Sequence, residues 1–301
     1  MRIPILVTWL MTGVVCLTAA QAIWQTEATA AADPKSHGVG PAGEKLDDAS
    51  CLTCHNGKKQ VLAFPAADGK IRPLRAIQKD KLTKGIHGEM TCVACHLDIA
   101  DNIAPHKKSA AAKANCVTCH EGLWETVQKE NLTAEKTRLG VVVQNIEAYK
   151  NSFHARPKSE TSVKAACDDC HDTHYFNVPP RGTSKRTEWH LTVPNVCGAK
   201  CHTEQLEEYA VSTHGTAVME RHNPKAAVCT DCHTTHDIAK TSIDTTKLQI
   251  VENCGGCHKE SLASYRDTYH GQVGKLGYAY TAKCYDCHGS HGILKVDDPE
   301  S

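Results

Sequence analysis

The sequence predicts a mainly α-helical protein with extensive irregular loops and little or no sheet. Clusters of two cysteines and a histidine recur about every 30 residues from Cys51 onward, which leaves little chain for a conventional core. Large apolar side chains are scarce, with 3 Phe and 4 Trp in 301 residues. The stretches "HTEQLEEYAVSTH" and "HKESLASYRDTYH" between clusters have helix-forming composition. We therefore expect short helices wrapped around something other than their own side chains.

The N-terminal segment, residues 1–32, has a basic start, an apolar run and small-residue cleavage candidates at Ala20–Ala22 and Ala28–Ala30. Its apolar part, about 22 residues from Ile3 to Trp24, is also long enough to span a bilayer. The segment is thus a signal peptide or a retained membrane anchor. Both alternatives place the bulk of the chain outside the cytoplasm, in the periplasm or facing it.

The clusters share one pattern, two cysteines followed at once by a histidine, and they hold 16 of the 17 cysteines; only Cys16 stands apart. They are Cys51/Cys54/His55, Cys92/Cys95/His96, Cys116/Cys119/His120, Cys167/Cys170/His171, Cys197/Cys201/His202, Cys229/Cys232/His233, Cys254/Cys257/His258 and Cys284/Cys287/His288. Cys-x-x-Cys-His is the attachment motif of c-type haem, in which both thiols bind the porphyrin and the histidine ligates the iron. The sequence therefore predicts eight covalently attached haems, with the cluster histidines as proximal ligands.

Other cysteine chemistry fits these clusters less well. A zinc ribbon closes four-coordinate sites with pairs of Cys-x-x-Cys and has no need of a histidine after every second cysteine. A redox dithiol occurs once, on a βαβ unit. The cluster "CGAKCH" departs from the pattern, because three residues separate Cys197 from Cys201, and its haem attachment is the least regular of the eight.

The clusters alternate between two types, so the sequence contains four two-haem repeats. Leading clusters begin at Cys51, Cys116, Cys197 and Cys254, and trailing clusters begin at Cys92, Cys167, Cys229 and Cys284. The expected segments are 33–110 for a diverged first repeat, 111–180 for a second repeat with a helical insertion, 181–240 for the third, and 241–301 for the fourth with the tail.

Each repeat also supplies two spare histidines, which we expect to be distal iron ligands. The middle histidines, between the two clusters, are His87, His154, His214 and His270; the tail histidines, after the trailing cluster, are His174, His236 and His291. Ile99 takes the tail position of the first repeat, where His106 is the substitute and His37 and His190 are the replacements. His222 is expected to be structural or exposed.

Spacing indicates that a spare histidine serves a different haem from its neighbour. His233 and His236, three residues apart, would leave the same face of a helical turn, so they could not grip one iron from opposite sides. A helix from His202 to His214 would rise by about 18 Å, which also separates the two. The sequence thus predicts a packed array in which spare histidines link neighbouring haems. Leu123, Trp124, Tyr209 and Tyr265 are expected to pack on porphyrin faces.

Two segments lie outside the dense clusters. Residues 56–85 contain Asp68-Gly69, a turn signal that favours a small hairpin. Residues 121–154 have the composition of two helices, with a break expected near Gly140. Formal charge balances at 34 basic and 34 acidic residues, so the sequence gives no argument for a nucleic-acid partner.

The "HG…CxDCHxxH" repeats, from Cys51 to Gly292, resemble the periplasmic multihaem cytochromes c of anaerobic respiratory bacteria, including metal-reducing and sulfate-reducing species. The resemblance implies bis-histidine, low-potential haems and a redox partner such as a quinol-oxidising membrane complex. An electron-transfer protein without catalytic residues is the first expectation. The alternatives are an octahaem oxidoreductase of the hydroxylamine oxidoreductase or tetrathionate or nitrite reductase type, with one open iron, and a membrane-anchored quinol dehydrogenase. In the enzyme alternative, the irregular clusters at Cys51 and Cys197 are the candidates for the open site.

Overall fold

The computed structural model describes residues 46–58, 63–65, 71–99, 101–102, 114–156 and 164–300. They belong to one compact unit, Ala32–Ser301. A separate unit, Met1–Ala31, lies outside the described residues, and so does the whole predicted signal peptide or anchor. In the part of the chain that is described, no helix is both long and apolar enough to cross a membrane.

Short helices make up most of the regular structure, which confirms the expectation of a mainly helical protein. The longest spans 15 residues. The helices of the described ranges are α1 (Asp48–His55), α2 (Lys79–Leu82), α3 (Cys92–Cys95), α4 (Cys116–Lys129), α5 (Thr137–Asn151), α6 (Cys167–Cys170), α7 (Ser184–Leu191), α8 (Val193–Gly198), α9 (Thr203–Val211), α10 (Thr213–Met219), α11 (Cys229–His233), α12 (Asp244–Cys257), α13 (Lys259–Asp267), α14 (Tyr269–Lys275) and α15 (Cys284–His288).

Sheet is confined, within the described ranges, to one antiparallel pair of short strands. Strand β1 (Ala63–Pro65) pairs with β2 (Ile71–Pro73), and Phe64 lies opposite Arg72. The pair falls within the segment where the sequence predicts a hairpin, so that prediction is confirmed for the strands. The predicted turn at Asp68-Gly69 lies outside the described residues.

The helical insertion of the second repeat forms two helices, α4 and α5, as predicted, but the expected break at Gly140 is wrong. Gly140 lies inside α5, and the chain reverses before it, in residues 130–136. A side chain at position 140 would bring its Cβ within 2.9 Å of the Trp124 ring. The glycine therefore permits close packing of α5 on α4 rather than ending a helix.

The stretches between a leading cluster and its middle histidine are broken helices, not the continuous ones that the sequence predicts. Ser212 separates α9 from α10 with an extended backbone, and its hydroxyl accepts the Gly215 N–H at 2.9 Å. Thr268 separates α13 from α14 in the same way. Serine and threonine cap a new helix strongly, so each stretch bends just before its histidine. The expected straight rise of about 18 Å therefore does not apply.

The largest apolar cluster of the described residues is small and lies in the third repeat. It consists of Val193, Tyr209, Val218 and Val228, of which the two last are 1% exposed. Leu206 and Cys197 pack against its edge. This cluster holds α8, α9 and α10 next to the trailing cluster that begins at Cys229.

Candidate haem-binding sites

Every Cys-His cluster lies at a helix, and none of its cysteines forms a disulfide. The trailing clusters owe their position to an aspartate in the "CxDCH" motif. Asp169, Asp231 and Asp286 are the third helical residues, and each carboxylate accepts the backbone N–H of the residue before the helix at 2.8 Å. This satisfies an amide that the helix itself leaves unpaired. In the first repeat Ala94 replaces the aspartate, and Asp48 of α1 accepts the Cys92 N–H instead, at 2.8 Å.

The first cysteines of the two clusters in each repeat lie in contact. The thiols of Cys51 and Cys92 share a hydrogen bond, which lowers the pKa of Cys51 to about 7 and raises that of Cys92. The same contact recurs in the other repeats, in the pairs Cys116–Cys167, Cys197–Cys229 and Cys254–Cys284. Each leading cluster therefore lies directly beside its own trailing cluster.

Electrostatic interactions between repeats involve the second cysteine of the first three trailing clusters, which are Cys95, Cys170 and Cys232. Burial raises the pKa of Cys95, and the nearby Cys119 raises it further. The pKa of Cys170 is raised by burial and, to a smaller extent, by the nearby Cys197. The pKa of Cys232 is raised by burial, then by Asp231 and by Cys257. Because these neighbours belong to the leading cluster of the next repeat, the clusters from Cys92 to Cys254 follow one another in space as they do in sequence.

Two predicted attachment residues, Cys54 and Cys287, are not brought to another cluster in this way. Both are exposed. The Cys54 thiol accepts the Thr53 hydroxyl of its own helix at 3.9 Å. Their haem attachment stays a prediction from the motif alone.

Within the described residues, six of the eight proximal histidines face a spare histidine across a nearly constant gap. The ring centroids are 6.0–6.2 Å apart, and the ring planes differ by 19–54°. The pairs are His87–His120, His96–His174, His154–His202, His171–His236, His214–His258 and His233–His291. Each contains one proximal and one spare histidine, and two proximal histidines never face each other.

The pairs connect successive repeats by a single rule. A middle histidine faces the leading cluster of the next repeat, as His154 faces His202. A tail histidine faces the trailing cluster of the preceding repeat, as His236 faces His171. Neighbouring repeats thus exchange one histidine in each direction. This rule agrees with the expectation that a spare histidine serves a different cluster from its neighbour in sequence.

The physical reason that we gave for this separation at His233 and His236 is wrong. The turn between them is not helical, because α11 ends at His233 and Thr234 adopts a positive φ of 64°. Gly289 occupies the equivalent place after α15, with φ 77°. This left-handed residue turns the chain out of the helix. The tail histidine is thereby directed to another cluster by a turn rather than by a helical face.

A recurring backbone hydrogen bond fixes each exchange of histidines. The residue before a middle histidine donates its N–H to the carbonyl two residues after a tail histidine. The bonds are Ile86 to Phe176 at 3.0 Å, Phe153 to Ile238 at 2.8 Å and Thr213 to Ile293 at 2.8 Å. Since the two segments are joined next to their histidines, both imidazoles are positioned together.

Three tyrosines hold the middle-histidine helices in place through their hydroxyls, a role different from the porphyrin packing that the sequence predicts for Tyr209 and Tyr265. Tyr149, Tyr209 and Tyr265 each precede a middle histidine by five residues, and each hydroxyl donates to the carbonyl two residues before a trailing cluster. The acceptors are Ala165, Ala227 and Ala282, at 2.8–2.9 Å. The constant spacing of tyrosine and histidine in the sequence is the signal that could have revealed them.

Burial keeps eight of the twelve paired imidazoles in the neutral state, which is the state that binds metals. Desolvation lowers the pKa of His171 to about 4, and the facing His236 lowers it further. Burial likewise lowers the pKa of seven other paired histidines, which are His87, His120, His154, His174, His214, His233 and His236. A neutral imidazole offers a nitrogen lone pair to a metal ion. In addition, Glu208 contacts Nδ1 of His291 at 3.2 Å, which orients that ring.

Two further predicted ligands, His288 and His270, are not paired in this way within the described residues. Both are exposed. His55 is the last residue of α1. It is one of several neighbours that lower the pKa of His174, after the larger effect of burial. The predicted substitute His106 and the replacement His37 lie outside the described residues. His190 contacts Asp231 at 3.5 Å, and His222 is exposed, as expected, and contacts the Glu220 carbonyl.

The gap between paired rings fits one metal ion bound from both sides. Two metal–nitrogen bonds of about 2.0–2.1 Å, with about 1.1 Å from each nitrogen to its ring centre, give about 6.3 Å between centroids. The structure has no group of three or more His, Cys, Asp or Glu side chains, among the residues it describes, that could hold a metal ion. Two opposed imidazoles do not complete a tetrahedral zinc site, but they leave an equatorial plane for a macrocycle. The donor set therefore fits haem.

Comparison with known protein families, with curated proteins and with solved structures finds no match to this chain.

Proposed function

We propose that this protein is an electron-transfer cytochrome c with eight covalently attached haems. The observation that carries the proposal is the set of six proximal–spare histidine pairs at 6.0–6.2 Å. Sequence alone supplies the Cys-His clusters, and the pairs add a second imidazole at the distance that a shared iron requires. The sixteen cluster cysteines hold the macrocycles, and the paired histidines bind the irons from both sides. When bound, haem supplies a reversible one-electron couple.

The cysteine contacts support a continuous array in the order of the sequence. First cysteines meet within a repeat, as in Cys254–Cys284, and second cysteines approach between repeats, as in Cys232 and Cys257. Alternating contacts of this kind leave no cluster isolated from the next. The chain thereby positions the sites from Cys51 to Cys284 as one row, whose two ends are the points of entry and exit for electrons.

Ligation by two imidazoles favours a carrier over an enzyme. A fully ligated iron has no position for a substrate, and six sites have two histidines each. Nitrogen ligands on both sides also lack the axial methionine that raises the potential of other cytochromes c. We propose low-potential sites in an exported protein, located in the periplasm or anchored to the membrane there. Its proposed donor is a quinol-oxidising membrane complex of anaerobic respiration.

An oxidoreductase with one open iron is the second candidate. The trailing cluster at Cys284 favours it, because no imidazole of the described residues faces the exposed His288. Of the two irregular clusters, Cys197 is the weaker location for an open site, since His202 of that cluster faces His154. A substrate bound there would reach the row of sites at its end.

Haem quantification by pyridine haemochrome, combined with EPR of the oxidised holoprotein, separates the two candidates. The electron carrier predicts eight haems per chain, all low-spin and unreactive to cyanide and nitrite. A high-spin fraction near one in eight that reacts with these ligands would instead favour the oxidoreductase. Fewer than six low-spin haems would contradict the ligand pairs themselves.

A further inference from the structure

One position of the repeats lies at the interface with the next repeat and has a different charge each time. It is the sixth residue before the middle histidine, and the three residues are Lys81 in α2, Ala148 in α5 and Glu208 in α9. The backbone bond that joins the middle-histidine segment to the tail segment of the next repeat recurs at all three interfaces. The position therefore has the same place in each, where it holds a cation, a neutral side chain and an anion in turn.

At the interface of the third and fourth repeats, Glu208 contacts a distal ligand directly. Its carboxylate lies 3.2 Å from Nδ1 of His291. An ionised carboxylate can only accept, so Nδ1 carries the proton and Nε2 has the lone pair for a metal ion. Of the twelve paired histidines, His291 is the one whose ring has a hydrogen bond within the described residues. A carboxylate on the far nitrogen makes the imidazole a more basic ligand, which favours the ferric state of an iron bound to it.

At the interface of the first and second repeats, the same position is positively charged. Nζ of the exposed Lys81 lies 5.9 Å from the ring centre of Tyr175, the residue after the tail histidine His174. Arg75 lies over the same ring at 4.8 Å and binds Asp172 at 2.6 Å, which balances the charge of that carboxylate. Burial lowers the pKa of His174 most, and Arg75 lowers it further. Positive charge near this ring favours the ferrous state of a bound iron.

The interface of the second and third repeats is intermediate. Ala148 brings no charge to the tail histidine, His236. Burial lowers the pKa of His236, and the exposed Asp237 next to it opposes this effect. Asp237 makes no hydrogen bond to the ring within the described residues, and water and salt screen an exposed charge. Its influence on a bound iron is therefore weaker than that of a carboxylate bonded to the ligand.

We propose that Lys81, Ala148 and Glu208 grade the potentials of the three trailing sites that the tail histidines complete, so that electrons move from the Cys229 site through the Cys167 site to the Cys92 site. The inference rests on the proposed function and gives the row a direction. Each step moves one electron from a ferrous to a ferric iron and forms or breaks no bond. Leading sites between the trailing ones affect the rate of transfer, whereas the graded charges set the overall fall in free energy.

Spectropotentiometric titration of the full holoprotein tests the grading. Glu208→Gln keeps the size of the side chain and removes its charge. We expect one component at the low-potential side of the titration to be reduced about tenfold more favourably, which is about 59 mV for a one-electron couple. This is the lower end of the effects of such neighbours, because Glu208 is 61% exposed. Lys81→Gln should shift one component at the high-potential side downward about threefold, or about 28 mV.

The matched controls are Glu207→Gln and Lys79→Gln. Each makes the same change in net charge at an exposed residue of the same helix, without a contact to His291 or to the Tyr175 ring within the described chain. Both should leave the titration curve unaltered. Control variants that shift the curve as much as Glu208→Gln and Lys81→Gln would overturn the inference, as would shifts of the opposite sign.

A double-mutant cycle identifies the affected haem. In a His291→Met background the ring that Glu208 bonds is absent, so Glu208→Gln should shift the curve by less than half as much. Equal shifts in both backgrounds would contradict a direct effect on this ligand. Haem content and low-spin EPR signals of the same samples report separately on the proposed function. Eight low-spin haems with an unaltered Glu208→Gln curve would exclude the inference alone, whereas fewer than six low-spin haems would contradict the proposed function.

Discussion

Buried histidines in this protein have lowered pKa values, which keep their rings neutral. Burial lowers the pKa of His171 and His236, so both rings are neutral at physiological pH and each presents a lone pair. The pair is confined to a gap of 6.2 Å, which is too wide for a hydrogen bond between the rings. This separation is the one that the proposed shared iron would need between its two imidazole ligands.

Replacement of His236 by methionine tests this at one site. Because His236 faces His171, we expect the haem attached at Cys167 and Cys170 to gain a thioether ligand and to keep its covalent bonds. Its potential should rise by on the order of 0.1 V, within the range of about 0.8 V that axial ligands span. Spectropotentiometry of the holoprotein measures the shift, and haemochrome assay should still give eight haems.

The control for this substitution is His222→Asn, at a histidine that faces no imidazole of the described residues. Asparagine also tolerates the positive φ of 51° at that position. It should change no potential. Loss of a whole haem in the His236→Met variant, or a shift spread over all haems, would contradict the assignment of His236 as a distal ligand.

At the scale of elements, the sequence predicts the Cys-His clusters more clearly than the direction in which each spare histidine leaves its helix. Cys-x-x-Cys-His has a fixed spacing because covalent attachment demands it, so the sites could be predicted residue by residue. The direction of each spare histidine depends on Ser212 as a helix cap and on Thr234 in a left-handed turn. Serine and threonine favour caps strongly but also occur inside helices, so helix-forming composition alone predicts continuous helices there.

The bond from a tyrosine hydroxyl to a backbone carbonyl is the feature that sequence reasoning overlooked, and Tyr209 allows a direct test. Its hydroxyl donates to the Ala227 carbonyl at 2.8 Å and ties α9 to the segment before Cys229. Burial raises the pKa of Tyr209, so the hydroxyl remains a donor. We expect Tyr209→Phe to lower the free energy of unfolding by about 1 kcal/mol. Chemical denaturation of the holoprotein, followed by circular dichroism, measures this change.

Tyr278→Phe is the matched control, because Tyr278 is 55% exposed and its hydroxyl has no hydrogen bond within the described ranges. It should leave the free energy of unfolding nearly unchanged. If both tyrosine variants lose the same stability, the recurring hydroxyl–carbonyl bond does not anchor the helix.

At the scale of the whole molecule, the exchange of histidines binds the repeats into one row. Each inner repeat places a histidine beside a cluster of each neighbour, so the histidine pairs of an inner repeat need residues from the adjacent repeats. Sequence counts predicted a one-to-one match of spare histidines and irons, but they could not show which repeat serves which. That information depends on backbone bonds between distant segments, such as Phe153 to Ile238. The spacing of residues in the sequence does not specify these bonds between distant segments.

Net charge offers a test that involves the whole molecule and depends on no single ligand. The polypeptide is formally neutral, with a sequence pI of about 7.3. Haem attachment at all eight clusters adds sixteen propionate carboxylates, two for each cluster. In the reduced protein, which is the form to compare, no positive charge offsets them, whereas each ferric iron would offset one carboxylate. Carboxylates ionise near pH 4, so we expect the holoprotein to focus about two pH units below the haem-free chain. Because the haems are covalently attached, both forms are compared by isoelectric focusing in urea, where fold has no influence. Haem-free chain made without the attachment machinery is the control, and equal isoelectric points for the two would exclude eight attached haems.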